Sequence, residues 1–364
     1  MRVPFLDLKA QHAALADPLR QAMAAVMAEC AFVGGRWVRD FEAAFAAAIG
    51  ARHCLGVGNG TDALAIALRA AGIGKGDEVI TAANTFIATA EAITMAGARP
   101  VFVDCTDTHL IDVEAVARAI GPATRAIVPV HLYGAPADMT ALLELARRHG
   151  LKVIADAAQA HGATHGDRPL GGLGDAICYS FYPGKILGAC GDGGAIVSDD
   201  VGLIERARLL ANHGSASKYR HEVEGVNSRL DGLQAAALSV KLPYLPSWVT
   251  ARRQAARHYH ERLSGTGLDL PGDPPWGEHA YHLYVIRVPN RERIIADLAE
   301  AGIECGIHYP TALPNLPAYA HLGHRREDFP CASAYQDESL SLPIYPELSP
   351  AQIDHVCDRL VALL

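Results

Sequence analysis

Lys152-Val153-Ile154-Ala155-Asp156-Ala157-Ala158-Gln159-Ala160-His161-Gly162 is the stretch on which the reading of this chain turns. A strongly apolar run ends on a carboxylate and passes into small residues. It reads as a buried strand that stops at Asp156. In an open α/β sheet, ligands gather beyond the C-terminal ends of the strands. A carboxylate at such an end is costly unless it meets a cation or a proton donor. Gln159, three residues further on, can aim at the same space. The plainer alternative is an aspartate that caps a helix after the strand.

Similar β-rich runs lie on both sides: Cys54–Gly58, Glu78–Thr81, Pro100–Asp104, Ala126–His131, Ala176–Phe181 and Ala195–Ser198. Amphipathic stretches separate most of them, at Asp62–Ala71, Ala88–Ala96, Val113–Ile120 and Met139–Arg148. This alternation predicts an α/β fold with a mostly parallel, seven-stranded sheet covered by helices. Gly172-Leu173-Gly174 and Gly191–Gly194 leave too little room for crossover helices, so the sixth and seventh runs are expected to pair antiparallel to each other or to the rest. Upstream, one helix is predicted over Gln11–Glu29, then a turn at Val33–Arg36, then a helix over Val38–Ile49 stopped by Gly50. Beyond Leu242 the texture changes. Pro243 and Pro246 bracket a break, followed by a helix from Thr250 to Leu263, a Gly- and Pro-rich loop over Ser264–Glu278, a strand over His282–Val288, and helices over Arg291–Ala301 and Gln352–Leu364. The expected division is a large domain over 1–245 and a smaller C-terminal α+β domain over 246–364.

A length of 364 residues suits two domains, and 50% hydrophobic with 20% charged residues excludes wholesale disorder. A net charge of −8 disfavours bulk binding to nucleic acid or to an anionic membrane, so neither is expected as a partner. The eight cysteines are scattered, with no C-x-x-C pair, which fits reduced thiols better than a disulfide frame or a zinc site. No apolar run is long enough to cross a membrane, and Met1-Arg2-Val3-Pro4-Phe5-Leu6-Asp7 is not a signal peptide. A cytoplasmic location is expected. The 17 histidines show no complete ligand pattern, so no metal is expected.

Two further segments carry chemistry. Gly56-Val57-Gly58-Asn59-Gly60-Thr61-Asp62 joins a strand to a helix through glycines. Glycines permit close backbone approach, and the free N–H groups and positive end of a helix suit a phosphate. An ordinary capped strand-to-helix turn reads the same way. No Gly-Lys-Ser/Thr follows, so this is not a P-loop. Cys178-Tyr179-Ser180-Phe181-Tyr182-Pro183-Gly184-Lys185-Ile186-Leu187-Gly188, continuing through Gly191-Asp192-Gly193-Gly194, sets one lysine among apolar, hydroxyl and glycine residues. Desolvation there lowers a lysine's pKa and frees a neutral amine as nucleophile. A phosphate cradle, a strand-end acid and an isolated lysine are what pyridoxal 5′-phosphate (PLP) needs: a Schiff-base amine, a partner for the ring nitrogen, and donors for the phosphate. Phe86, just past a strand end, can offer a face for the ring or simply pack in the core.

These segments, with Phe5-Leu6-Asp7-Leu8-Lys9-Ala10-Gln11, Gly225-Val226-Asn227-Ser228-Arg229-Leu230-Asp231 and Ser341-Leu342-Pro343-Ile344-Tyr345-Pro346, resemble the DegT/DnrJ/StrS family of PLP-dependent nucleotide-sugar aminotransferases over nearly the whole chain. The resemblance implies the type I aminotransferase fold. It implies Lys185 as Schiff-base and proton-shuttling lysine, Asp156 on the pyridine nitrogen, Gln159 on the phenolic oxygen and Phe86 stacked on the ring. It implies Gly60, Thr61 and Ser180 on the phosphate, with Asn227 donated by the neighbouring subunit of a homodimer. Glutamate is the implied amino donor and a nucleotide-linked keto sugar the acceptor. Lys218, Tyr219, Arg220 and Arg229 are candidates for the substrate's pyrophosphate, and His308 and Tyr309 for the pocket wall. Members that aminate C4 often read Ser-Phe-His-Ala-x-Lys. Ser180-Phe181-Tyr182-Pro183-Gly184-Lys185 is similar to members acting on 3-keto sugars, which implies amination at C3. The chain departs from the family pattern at Ile186, where Asn is common, and at Pro314-Asn315-Leu316, where His-Leu-Gln is common.

Overall fold

A computed structural model describes residues 1–364. The central sheet has seven strands: β1 (His53–Val57), β2 (Glu78–Ala82), β3 (Arg99–Val103), β4 (Thr124–Val128), β5 (Lys152–Asp156), β6 (Ala176–Ser180) and β7 (Gly194–Ser198). Their spatial order is β1-β7-β6-β5-β4-β2-β3. Only β7 runs against its neighbours, antiparallel to both β6 and β1, while β6 lies parallel to β5. The sixth and seventh runs pair antiparallel to each other, as expected, and of the two only the seventh runs against the rest of the sheet. Residues 181–193 carry no crossover helix and join β6 to an antiparallel β7, whereas residues 157–175 bring the chain to a parallel β6 without an α-helix.

Both faces of the sheet are covered. In β5, Val153 and Ala155 join one apolar core and Ile154 the other; β6 divides the same way, Ile177 and Tyr179 against Ala176 and Cys178. Side chains alternate faces along a strand, so burial of both faces is what makes these runs continuously apolar. The helices in chain order are α1 (Leu8–Ala14), α2 (Ala16–Glu29), α3 (Gly35–Ala48), α4 (Gly60–Ala70), α5 (Ile87–Met95), α6 (Val113–Ala119), α7 (Met139–His149), α8 (Val201–Ala211), α9 (Gly232–Lys241), α10 (Leu245–Leu263), α11 (Arg291–Glu300), α12 (Pro330–Glu338) and α13 (Pro350–Val361).

Three expectations need correction. The single helix over Gln11–Glu29 is two helices that meet at Leu15; the first begins at Leu8, where the Asp7 side chain accepts from the Ala10 N–H at 3.0 Å. The break at Pro243 and Pro246 is only a 3₁₀ turn over Leu242–Tyr244, and α10 starts at Leu245 rather than Thr250. Proline is tolerated in a first helical turn because its missing N–H has no partner there. The strand over His282–Val288 is shorter, Tyr284–Arg287, and pairs antiparallel with Ser339–Leu342.

Leu245, Trp248 and Val249 of α10 pack in the sheet's core, while its Ala255, Ala256, Tyr259 and Leu263 pack in a separate C-terminal core. That second core also takes in Val3. The Val3 N–H donates to Gly302 O (2.8 Å) and Val3 O accepts from the Glu304 N–H (2.9 Å). No helix is long and apolar enough to cross a membrane.

Candidate active site

The C-terminal ends of the strands and the N-terminus of α4 open into one cavity of about 520 Å³, within the range of small-molecule sites. Asn59 caps α4, its side chain accepting from the Asp62 N–H at 2.8 Å. Gly60 and Thr61 form the first turn, whose N–H groups have no intrahelical partner. Gly60 packs directly on Ser180: a Cβ at Gly60 would lie 2.7 Å from Ser180 Cβ. That approach demands glycine and sets a hydroxyl beside the helix N-terminus.

Asp156 ends β5 and is 6% exposed. Its Oδ2 accepts from Thr89 Oγ1 (2.8 Å) and its Oδ1 from the Ala158 N–H (3.0 Å). Burial raises its pKa; the Ala158 N–H, the Thr89 hydroxyl and Lys185 oppose the rise. Gln159 is fixed at both ends. Its Oε1 accepts from the Tyr133 N–H (2.6 Å) and its Nε2 donates to Tyr309 Oη (2.9 Å). Tyr133, at φ +59°, in turn donates from its hydroxyl to His308 O.

Lys185 lies on the loop between β6 and β7, its own N–H donating to Tyr182 O at 2.8 Å. Burial lowers its pKa from 10.5 to about 8, with the Asp156 carboxylate pulling the other way. Lys185 is the only lysine or arginine that lines the cavity. His282 and His308 line it too, and burial holds both below the usual histidine range, His308 at about 4, so both are neutral near pH 7. Phe86 stands at the mouth, 52% exposed, with its ring 5.4 Å from that of Tyr309. The N-terminal segment forms one wall, where Phe5 stacks on His308 at 5.7 Å.

Gly60, Thr61, Phe86, Asp156, Gln159, Ser180, Lys185, His308 and Tyr309 thus share one cavity. Asn227, Lys218, Tyr219, Arg220 and Arg229 do not line it. Asn227 is exposed and bridges to Asn212 through the backbone. Lys218 Nζ sits over the Tyr219 ring at 5.3 Å, Arg220 pairs with Glu222 at 3.2 Å, and Arg229 donates to Asn212 Oδ1 at 3.2 Å. Thr89, Tyr133 and His282 belong to the site without having been singled out, and Phe5 figures only within a segment of the family resemblance. Thr89 alone had a local signal, as a hydroxyl one turn beyond Phe86. No group of three or more His, Cys, Asp or Glu is placed to hold a metal.

A parallel-sheet cavity with a lowered lysine, a buried strand-end acid and a helix N-terminus defines a PLP-dependent aminotransferase of the type I fold. The residues fit that cofactor. The Gly60–Ser180 contact leaves the first-turn amides and a hydroxyl for a phosphate, and Asp156 and Lys185 supply the acid and the amine. The sequence profile of the DegT/DnrJ/EryC1/StrS aminotransferase family matches residues 15–361, and the chain belongs to that family. It is similar to the erythromycin biosynthesis sensory transduction protein EryC1 of Saccharopolyspora erythraea, at 48% identity over 100% of both chains. It is 45% identical to the dTDP-3-amino-3,4,6-trideoxy-α-D-glucose transaminase of Streptomyces venezuelae, over 98% of this chain and 95% of that one. The solved structure of Streptomyces venezuelae DesV in complex with a ketimine intermediate superposes with a TM-score of 0.97, at 44% identity, covering 100% of this chain and 98% of the other.

Proposed function

We propose that this chain transfers an amino group from glutamate to C3 of a nucleotide-linked 3-keto sugar. The observation that carries the reading is the convergence of Lys185, Asp156 and the N-terminus of α4 in one cavity. The transaminase relative that acts at C3 supports the regiochemistry. Bound PLP supplies an aldehyde that holds amines and a ring that accepts electron density.

Around that group each residue has a task. Lys185 Nζ would hold the cofactor's aldehyde at rest and, once released, would carry the proton to and from the reacting carbon. With a pKa near 8, a useful fraction of the amine is neutral at neutral pH, which proton pick-up requires. Asp156 keeps the ring nitrogen protonated, and the Thr89 and Ala158 donors hold its oxygens in place for that task. Gln159 Nε2 has a second N–H to spare for the phenolic oxygen, because the amide is already oriented by Tyr133 and Tyr309. Gly60, Thr61 and Ser180 take the phosphate, and Phe86 covers the ring.

The substrate's phosphates need cations that the cavity lacks beyond Lys185. Lys218, Arg220 and Arg229, together with Asn227, lie outside it, each exposed, within the segment 212–230. They are assigned to the cavity of a neighbouring subunit in a homodimer. A sensory or regulatory role, favoured by the name of the EryC1 relative, is the second reading; retention of Lys185, Asp156 and Gln159 together weighs for an enzyme. Glutamate-dependent turnover on a panel of 3-keto and 4-keto nucleotide sugars tests both points. Turnover of the 3-keto set is expected. Exclusive use of 4-keto substrates would refute C3 amination, and no turnover of any would favour the regulatory reading.

A further inference from the structure

The loop that presents Lys185 is closed at its base by its own backbone. The Phe181 N–H donates to Gly193 O at 2.7 Å and the Ala189 N–H to Phe181 O at 2.8 Å. Beyond that base, α9 grips two peptide groups of the segment just after Lys185. Lys241 Nζ donates to Gly188 O at 2.7 Å, and Gln234 Oε1 accepts from the Cys190 N–H at 2.8 Å. Residues 234 and 241 are seven apart, two turns along one face of a helix, so a single rigid element supplies both contacts. Gly188 also folds tightly onto the approach to Lys185: a Cβ there would come within 2.3 Å of Pro183 O. Gly188 therefore packs directly on Pro183, two residues before the lysine.

Lys241 is 0% exposed. Its second partner is His12 Nε2 of α1 at 3.0 Å. An ammonium group has only donors, so His12 accepts and carries its own proton on Nδ1. A fully buried lysine is rare and costly, and an apolar chain of similar length would fill the same space more cheaply. What the amine adds is its hold on the Gly188 carbonyl. It takes no part in lining the cavity.

We propose that Lys241 and Gln234, with His12 behind them, form a positioning clamp that fixes the Lys185 loop and so sets how Lys185 meets its cofactor. The inference rests on the reading of Lys185 as the Schiff-base residue. Lys241 acts only through the loop and is a positioning residue. By the same route the N-terminal helix, remote from the cavity's acid and lysine in sequence, becomes part of the active-site scaffold.

The test uses PLP-loaded enzyme carrying Lys241→Met, Gln234→Ala or Gln234→Glu; the last retains an acceptor for the Cys190 N–H. Two quantities are followed: the rate of borohydride trapping at Lys185, with the adduct mapped by peptide, and the pH midpoint of the yellow absorbance. Melting of the cofactor-free protein reports the fold separately. Lys241→Met is expected to slow trapping on the order of tenfold to a hundredfold and to move the midpoint, because misplacement of a reacting group by about 1 Å costs that much. Gln234→Ala should act in the same direction and less, and Gln234→Glu should restore the wild-type rate. Should Lys241→Met fail to fold, the Gln234 pair decides. Wild-type trapping and midpoint in Lys241→Met and Gln234→Ala would overturn the clamp, as would a Gln234→Glu variant as impaired as Gln234→Ala. An adduct on another lysine in the wild-type protein would instead overturn the assignment of Lys185 itself.

Discussion

The floor of the cavity and the hairpin over Ser215–Ser217 and Arg220–His221 are opposites. On the floor, Asp156 and Gln159 are each 6% exposed and each held by two hydrogen bonds from within the chain. On the hairpin, Tyr219 is 85% exposed and Lys218 and Arg220 touch only local neighbours. One chain therefore gathers the acid, the amine and the helix N-terminus of its cofactor site, but not the cations for an anionic substrate. The difference predicts that changes on the floor act on chemistry, and changes on the hairpin act on substrate affinity alone.

Four variants sharpen or break that contrast. Lys185→Ala should abolish the yellow absorbance and lower kcat by on the order of 10⁴-fold or more, since it removes both the attachment point and the proton carrier. Asp156→Asn keeps the shape and loses the charge; single-turnover measurements should show a loss of about a hundredfold to a thousandfold. Thr89→Val removes one donor to Asp156, a charged hydrogen bond worth roughly 1.5–3 kcal/mol. It should cost about tenfold in kcat and leave the substrate KM unchanged. Lys218→Ala with Arg220→Ala should raise the KM for the nucleotide sugar several-fold, about 1 kcal/mol, with PLP affinity untouched. A hairpin variant that loses PLP, or a Thr89 variant that changes only KM, would erase the distinction.

The pH dependence follows from Lys185. The neutral amine is the nucleophile, and burial lowers its pKa from 10.5 to about 8. Capture of added PLP by the cofactor-free protein should accelerate as pH rises and level off above about 8. Continued acceleration towards 10.5 would mean an unperturbed lysine.

The sequence made the floor legible and left much of its support invisible. Asp156 and Lys185 stand out locally, one as an acid closing an apolar run, the other as a lone cation among glycines. The sheet was legible for the same reason, since two buried faces leave continuous apolar runs. The Thr89–Asp156 bond, the Gln159–Tyr309 bond and the Lys241–Gly188 contact join residues between 53 and 150 positions apart, and no local periodicity encodes such pairings. Tyr133–Gln159, at 26 positions, was no easier. Helix ends failed where a cap or a first-turn proline outweighed propensity, as at Asp7 and Pro246.

The central claim is that Lys185 is the amine that joins the cofactor opposite Asp156. Borohydride reduction of the PLP-loaded protein, followed by peptide mapping, tests it most directly. The account predicts a single adduct on the peptide that contains Lys185. An adduct elsewhere, or none in protein shown to hold PLP, would contradict it.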